Sequence, residues 1–279
     1  MFRYEKDSIN GVELLKFDAL SEKKNIVHCF TTRAGGVSGG GCESLNMSFK
    51  REENRKNVSE NIKRVAEAAG VDFDSVTMVP QVHGGKVRVV TEEDRGKGVS
   101  RESFDEGYDA MVTNIKGVTL ATIHGDCIPV FLYDEKACCI GMIHSGWRST
   151  HARISRNAVV AMVENYGSKP EDIIAVIGPG ICQNCFEASD DVYEAFAEEF
   201  GKEFTDDLSV CRPDLTRKGK WYISLPGIVY KTLIAAGVLP GNIIRSGVCT
   251  CCEENRDKYF SHRREHGKTG AMSGFIMLK

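Results

Sequence analysis

The chain has 279 residues, of which 42% are hydrophobic and 27% charged, with a formal net charge of −3 at pH 7. That is ordinary globular composition with ample material for a core. It excludes a nucleic-acid surface, since the densest basic cluster, "SHRREHGK", carries a Glu of its own. It also excludes a helical membrane span, since no apolar run approaches the ~20 residues required.

In chain order, "GVELLKF" and "NIVHCFTTR" read as short strands, followed by a glycine-rich loop, "AGGVSGGG". "NVSENIKRVAEAAG" places apolar residues at 58, 62, 65, 66 and 69 and stops on Gly70, which predicts a helix. "VTMVP" and "KVRVV" read as strands on either side of "QVHGG", and "RGKGVSRESFDEG" as a polar loop. "DAMVT", "VTLATIH", "VFLY" and "ACCIGMI" are successive strands. A helix follows "HSGWR" on the apolar spacing 154, 158, 161 and 162, then a strand, "IIAVIG". "SDDVYEAFAEEF" and "SLPGIVYKTLIAAG" read as helices, and "IIRSGV" and "GFIMLK" as strands. Strands and helices alternate without βαβ regularity and no linker interrupts them. The expected fold is α+β, one domain over residues 1–279 with mixed β-sheets layered with helices.

The N-terminal "MFRYEKDSINGVELLKF" lacks the apolar region of a signal peptide. The expected location is cytoplasmic, where the 11 cysteines stay reduced. Without a heptad or a strongly apolar exposed helix, the expected state is a monomer.

Three soft or borderline ligands fall where strands should end: His83 in "QVHG", Cys127 in "GDCIP" and His144 in "HSGWR". Their wide spacing rules out a zinc finger and suits a catalytic Zn²⁺ whose fourth position stays open. The same residues allow a second use, Cys127 as a thiolate nucleophile with His83 or His144 as base and Asp126 as orienter. The third possibility is a buried cysteine with structural histidines. Arg148, in a turn before a helix, would supply charge for phosphate or carboxylate. "TTRAGGVS" could cradle phosphate on backbone amides beside Arg33, although it lacks the ending of a P-loop. Asn46 in "SLNMSF" is a candidate substrate contact. "SHRR" reads as a solvated loop or a substrate clamp. "CQNC" (182–185) and "CTCC" (249–252) could form a structural zinc ribbon, but they lie far further apart than a usual knuckle, which favours packing roles.

Taken in order, "TTRAGGVS", "SLNMS", "QVHG", "DAMVT", "GDCIPV", "HSGWR", "IGPGI…CFEAS", "CT" and "YFSHRR…TG" resemble one family from about residue 26 to the C-terminus. This is the multi-activity purine nucleoside phosphorylase family, long labelled laccase-domain or polyphenol oxidase proteins. The resemblance implies a zinc held by His83, Cys127 and His144. It also implies phosphorolysis of adenosine, inosine, guanosine and S-methyl-5′-thioadenosine, with adenosine deamination, so purine nucleoside and phosphate as partners. Deamination would direct a zinc-activated water at C6 of adenine. Phosphorolysis would direct phosphate, held by Arg33 and Arg148, at the ribose C1′. The chain departs from the family pattern at Gly125, at "HSGWRST" and at "TGAM", where an arginine after Gly270 is missing and Arg263, Arg264 or Lys268 would compensate. Rival readings are a copper-dependent phenol oxidase, a cysteine hydrolase or amidase acting on cell-wall precursors, and a binding module without turnover. A chain with 7 His and no H-x-H pair is poor in ligands for several coppers, although the same three residues could hold one Cu²⁺.

Overall fold

In the computed structural model, which describes residues 1–279, the alternating apolar strands are buried on both faces. In the strand Ile128–Asp134, Ile128, Val130 and Leu132 enter one core while Phe131 and Tyr133 enter another. A strand with no polar face must lie between two apolar layers, and the architecture supplies them. One six-stranded sheet runs Phe2–Lys6, Glu13–Phe17, Ile26–Thr31, Met272–Leu278, Thr119–His124 and Val76–Met78. A second runs Ile243–Arg245, Ile174–Ile177, Ile128–Asp134, Cys139–Ser145, Ala110–Thr113 and Val87–Val89. Both are mixed, antiparallel within and parallel where Val76–Met78, Ile243–Arg245 and Val87–Val89 join.

The two sheets pack face to face on Phe17, Phe30, Phe131, Met142 and Ile276. They approach closely at Gly274, where an added Cβ would lie 2.3 Å from the Met142 methyl. Helix Arg55–Ala69 covers the outer face of the first sheet with Val58, Ile62 and Val65. Helices Ile154–Tyr166 and Leu225–Ala235 cover the second. The result is four layers, helix–sheet–sheet–helix, an α+β fold.

The helix expected to stop at Gly70 does so, with Gly70 in the left-handed region at φ 72°. Its first residue is Arg55, capped by the Asn54 side chain on the amide of Lys56. Four strands were not anticipated: the edge strand Phe2–Lys6, and Glu187–Ser189, Lys220–Ile223 and Cys211–Pro213, which form a small antiparallel sheet. All four are short and only partly buried, so their sequences carry no alternation to read. No helix is long and apolar enough to cross a membrane.

Candidate metal centre

Strands Ile128–Asp134 and Cys139–Ser145 pair antiparallel, with Pro129 opposite His144. That register brings Cys127, just before the first strand, beside His144, near the end of the second. His83 arrives from the turn after Pro80, with a left-handed backbone at φ 59°. The ligating atoms of His83, Cys127 and His144 all lie within 4.8 Å of one another. The His83 Nε2 to Cys127 Sγ separation is 3.9 Å, and the two imidazole centroids are 4.9 Å apart. A tetrahedral zinc with ordinary Zn–S and Zn–N bonds sets the sulfur–nitrogen edge at about 3.5 Å. The donor set and its spacing therefore fit such an ion.

Asp109, which nothing in the sequence marks beyond the start of a strand, organises both histidines. It is fully buried, and its Oδ1 accepts from His144 Nδ1 at 2.8 Å. Its Oδ2 accepts from the amides of Gly84, at 2.5 Å, and Val82, at 3.3 Å, on either side of His83. With Nδ1–H of His144 fixed on Asp109, Nε2 is the nitrogen that faces Cys127 and, once its proton leaves, the one that would ligate a metal, as in other imidazoles oriented by a carboxylate. Burial raises the Cys127 thiol, but the His144 and His83 rings outweigh it and hold the thiol at about 6. Burial lowers the His144 imidazole, while Cys127 and Asp109 pull it up to about 9. His124, buried alongside, donates from Nδ1 to the Cys127 carbonyl and accepts at Nε2 from the Thr122 hydroxyl.

Gly146 closes the site from above. Its φ of −77° suits any residue, so its requirement is space. A Cβ there would lie 2.8 Å from His83 Cδ2 and 2.9 Å from Cys127 Sγ. Gly146→Ala should leave the fold intact and weaken metal binding about 10- to 100-fold, the scale of other changes that displace metal-bound side chains. Competition with a chromogenic chelator measures it, and unchanged affinity would show that the ligands do not need the space.

Two clefts meet at this centre. One, of about 530 Å³, is lined by Trp147, Arg148, Phe186, Lys220, His262 and Arg263. The other, of about 370 Å³, is lined by Phe49, Arg55, Met78, Pro80, Gln81 and Ile123. Both volumes suit small-molecule ligands. His83, Cys127, Gly125 and Arg51 border both clefts.

The candidates expected from sequence divide. Arg148 lines the first cleft, with its guanidinium 4.2 Å over the Trp147 ring and no carboxylate or carbonyl partner. Arg33 does not reach the centre. It donates to the carbonyls of Glu43 and Arg256, stacks on Phe260 and borders a separate open cleft with Lys268. The glycine-rich loop beside it borders that same separate cleft through Ala34 and Gly41. Asn46, expected as a substrate contact, is fully buried and spends its amide on Ser48, Glu52 and the Ala271 N–H.

Asp126 borders the first cleft, yet its carboxylate is already occupied. Thr250 Oγ1 donates to Oδ1, and Ser261 Oγ and the Arg263 amide donate to Oδ2. It braces the loops that carry Thr250, Ser261 and Arg263. Of the arginines offered as compensation, Arg263 lines the cleft, whereas Arg264 is tied to the carbonyls of Thr250 and Tyr259. Arg51 and His262 were missed, the first because nothing marks it and the second because "SHRR" reads equally as a surface loop.

The family model described as multi-copper polyphenol oxidoreductase laccase matches residues 27–279. A protein of Bacillus subtilis named purine nucleoside phosphorylase YlmD is 35% identical over 92% of this chain and 90% of its own length. A protein from an unknown prokaryote named adenosine deaminase RL5 is 34% identical over 91% of this chain and 94% of its own length. The crystal structure of YlmD from Geobacillus stearothermophilus superposes with a TM-score of 0.87 at 30% identity, covering 100% of both chains. The chain thus belongs to the laccase-domain family of multi-copper polyphenol oxidoreductase type, whose relatives include proteins named purine nucleoside phosphorylase.

Proposed function

We propose that the protein is a zinc-dependent purine nucleoside phosphorylase acting on adenosine, inosine, guanosine and S-methyl-5′-thioadenosine, with a secondary adenosine deaminase activity. The observation that carries this reading is the meeting of two clefts at the His83–Cys127–His144 group, one of them bearing an unpaired arginine. Displacement at C1′ needs nucleophile and leaving group on opposite faces of the sugar carbon. Two clefts joined at one centre supply that separation.

A zinc ion held by the three residues supplies a Lewis acid where charge changes during the reaction. Arg148, with no competing partner, holds the phosphate oxygens in the first cleft. Phe49 and Pro80 offer the second cleft a flat apolar wall for the purine. As the phosphate oxygen bonds to C1′, the C1′–N9 bond breaks and its electron pair passes to the purine, which takes up a proton. His262 accepts from Arg51 at Nδ1, at 3.2 Å, so its own proton sits on Nε2, on a ring facing the cleft. We assign it as a hydrogen-bond donor to the phosphate in that first cleft, beside Arg148.

The reading is tested with zinc-loaded protein and adenosine, with and without phosphate, separating products by chromatography. Adenine and ribose 1-phosphate should form only with phosphate, and inosine in both. Turnover of neither kind would overturn the reading. Arg148→Ala should raise the KM for phosphate by about 10- to 100-fold, the worth of one charge-assisted contact of about 1.5–3 kcal/mol. The KM for nucleoside should stay within about threefold in the same steady-state assay.

A second reading is favoured by one observation: Cys127, His144 and Asp109 stand in the order of a nucleophile, base and orienter. A cysteine hydrolase of this kind should keep its activity when chelated, whereas the phosphorylase should lose it.

A further inference from the structure

The structure gathers "CQNC" and "CTCC", which the sequence separates widely, into one cluster. The sulfurs of Cys182, Cys185, Cys249 and Cys252 all lie within 4.8 Å of one another. Cys182 and Cys252 are 3.9 Å apart, and Cys185 and Cys252 are 3.7 Å apart. A tetrahedral ion with four Zn–S bonds of about 2.3 Å has sulfur–sulfur edges of about 3.8 Å. All four cysteines are free thiols, well beyond the ~2.05 Å of a disulfide.

We propose that these four cysteines hold a second, structural zinc ion, separate from the His83–Cys127–His144 centre. Each C-x-x-C sits in its own tight turn. In the first, the amides of Cys185 and Phe186 both donate to the Cys182 carbonyl. In the second, the Asn255 amide donates to the Cys252 carbonyl and its side chain to the Cys249 carbonyl. The two turns are docked by backbone pairing, since Gly180 and Cys249 form a parallel bridge and the Thr250 amide donates to the Gly180 carbonyl. The Cys182 amide donates to Cys249 Sγ at 3.2 Å, a bond that stabilises a thiolate in place of a thiol.

A zinc with four thiolates is a doubly negative unit, and three arginines hydrogen-bond to the turns that carry the cysteines. Arg263 donates to the Cys185 carbonyl, Arg264 to the Thr250 carbonyl and Arg212 to the Asn184 side chain. The site has no open position, as structural zinc sites do not. Its consequence is mechanical. The turns it joins carry Ile181, Phe186 and Glu187 into the first cleft, and Thr250 braces Asp126 beside Cys127. The second ion clamps the wall of the catalytic cleft.

Metal analysis decides it, on the full chain purified with a non-chelating phosphine reductant and reloaded with zinc. Wild type should hold two zinc ions per chain. A His83→Ala/Cys127→Ala variant should keep one, and its cobalt-substituted form should show the intense visible absorption of a tetrathiolate. Cys182→Ser/Cys252→Ser should lose one zinc and melt earlier. If that variant fails to fold, the His83→Ala/Cys127→Ala protein still decides. Should it bind no metal, give no cobalt–thiolate absorption and leave the four thiols rapidly titratable, the second centre is overturned. Neither result depends on whether the protein turns over nucleosides.

Discussion

Cys127→Ala should remove one equivalent of zinc per chain and lower kcat/KM for adenosine phosphorolysis by about 10³-fold. Cys127 supplies the only sulfur of its centre, held between two imidazoles within 4.8 Å. Deleting it leaves two neutral nitrogens, too few to retain the ion against a mild chelator. Lewis-acid stabilisation of a transition state is worth several kcal/mol. At about 1.4 kcal/mol per decade of rate, that sets the expected loss. The fold should survive, because the side chain is only partly buried and contributes no core packing. Metal content, steady-state rates and a melting curve on one preparation check all three statements. Loss of zinc with full retention of rate would show that the ion is not used in turnover. Retention of both would remove Cys127 from the ligand set.

The strands that build the site are the most legible part of the sequence. Residues 119–124, 128–134 and 139–145 are short apolar runs bounded by polar turns, and strands buried on both faces need nothing more. The two strands pair as a hairpin across the turn at 135–138, but the register that sets Pro129 opposite His144 depends on the conformation of that turn, so the contact between Cys127 and His144 follows from the resemblance or the structure and not from spacing. Arg33 and Asn46 illustrate a different limit. Both sit in stretches that mark the family, yet the structure uses them to hold a loop against Glu43, Arg256, Ser48 and Ala271. A residue type and a glycine-rich neighbour cannot distinguish an arginine that binds carbonyls from one that binds phosphate. The two C-x-x-C pairs fail in the opposite direction. Knuckle spacing counts residues along the chain, whereas these turns are joined by sheet topology, through a bridge between Gly180 and Cys249.

Asp109→Asn should be the most damaging change among residues that touch neither metal nor substrate, because the side chain faces donors on both sides. His144 presents Nδ1–H to one oxygen, and the amides of Val82 and Gly84 present N–H to the other. A carboxylate accepts at both ends. A carboxamide has one accepting oxygen and one NH₂, so one side meets donor with donor. If the amide turns its NH₂ to His144, the ring must move its proton to Nε2, and the nitrogen offered to the metal is blocked. If it turns the NH₂ to the Val82 and Gly84 amides, the turn carrying His83 is released. Either way one histidine is lost as a properly oriented ligand. We expect zinc affinity to fall about 10- to 100-fold, as for other carboxylates behind metal-bound histidines. A buried donor left unsatisfied should also cost about 1–3 kcal/mol of stability. The metal defect should be partly rescued by raised zinc in the assay, whereas the stability loss should persist at any zinc level that leaves the site empty. Competition titration and chemical denaturation separate the two effects. Wild-type zinc affinity in the Asp109→Asn variant would show that Asp109 serves the fold alone and that His144 finds its tautomer without it.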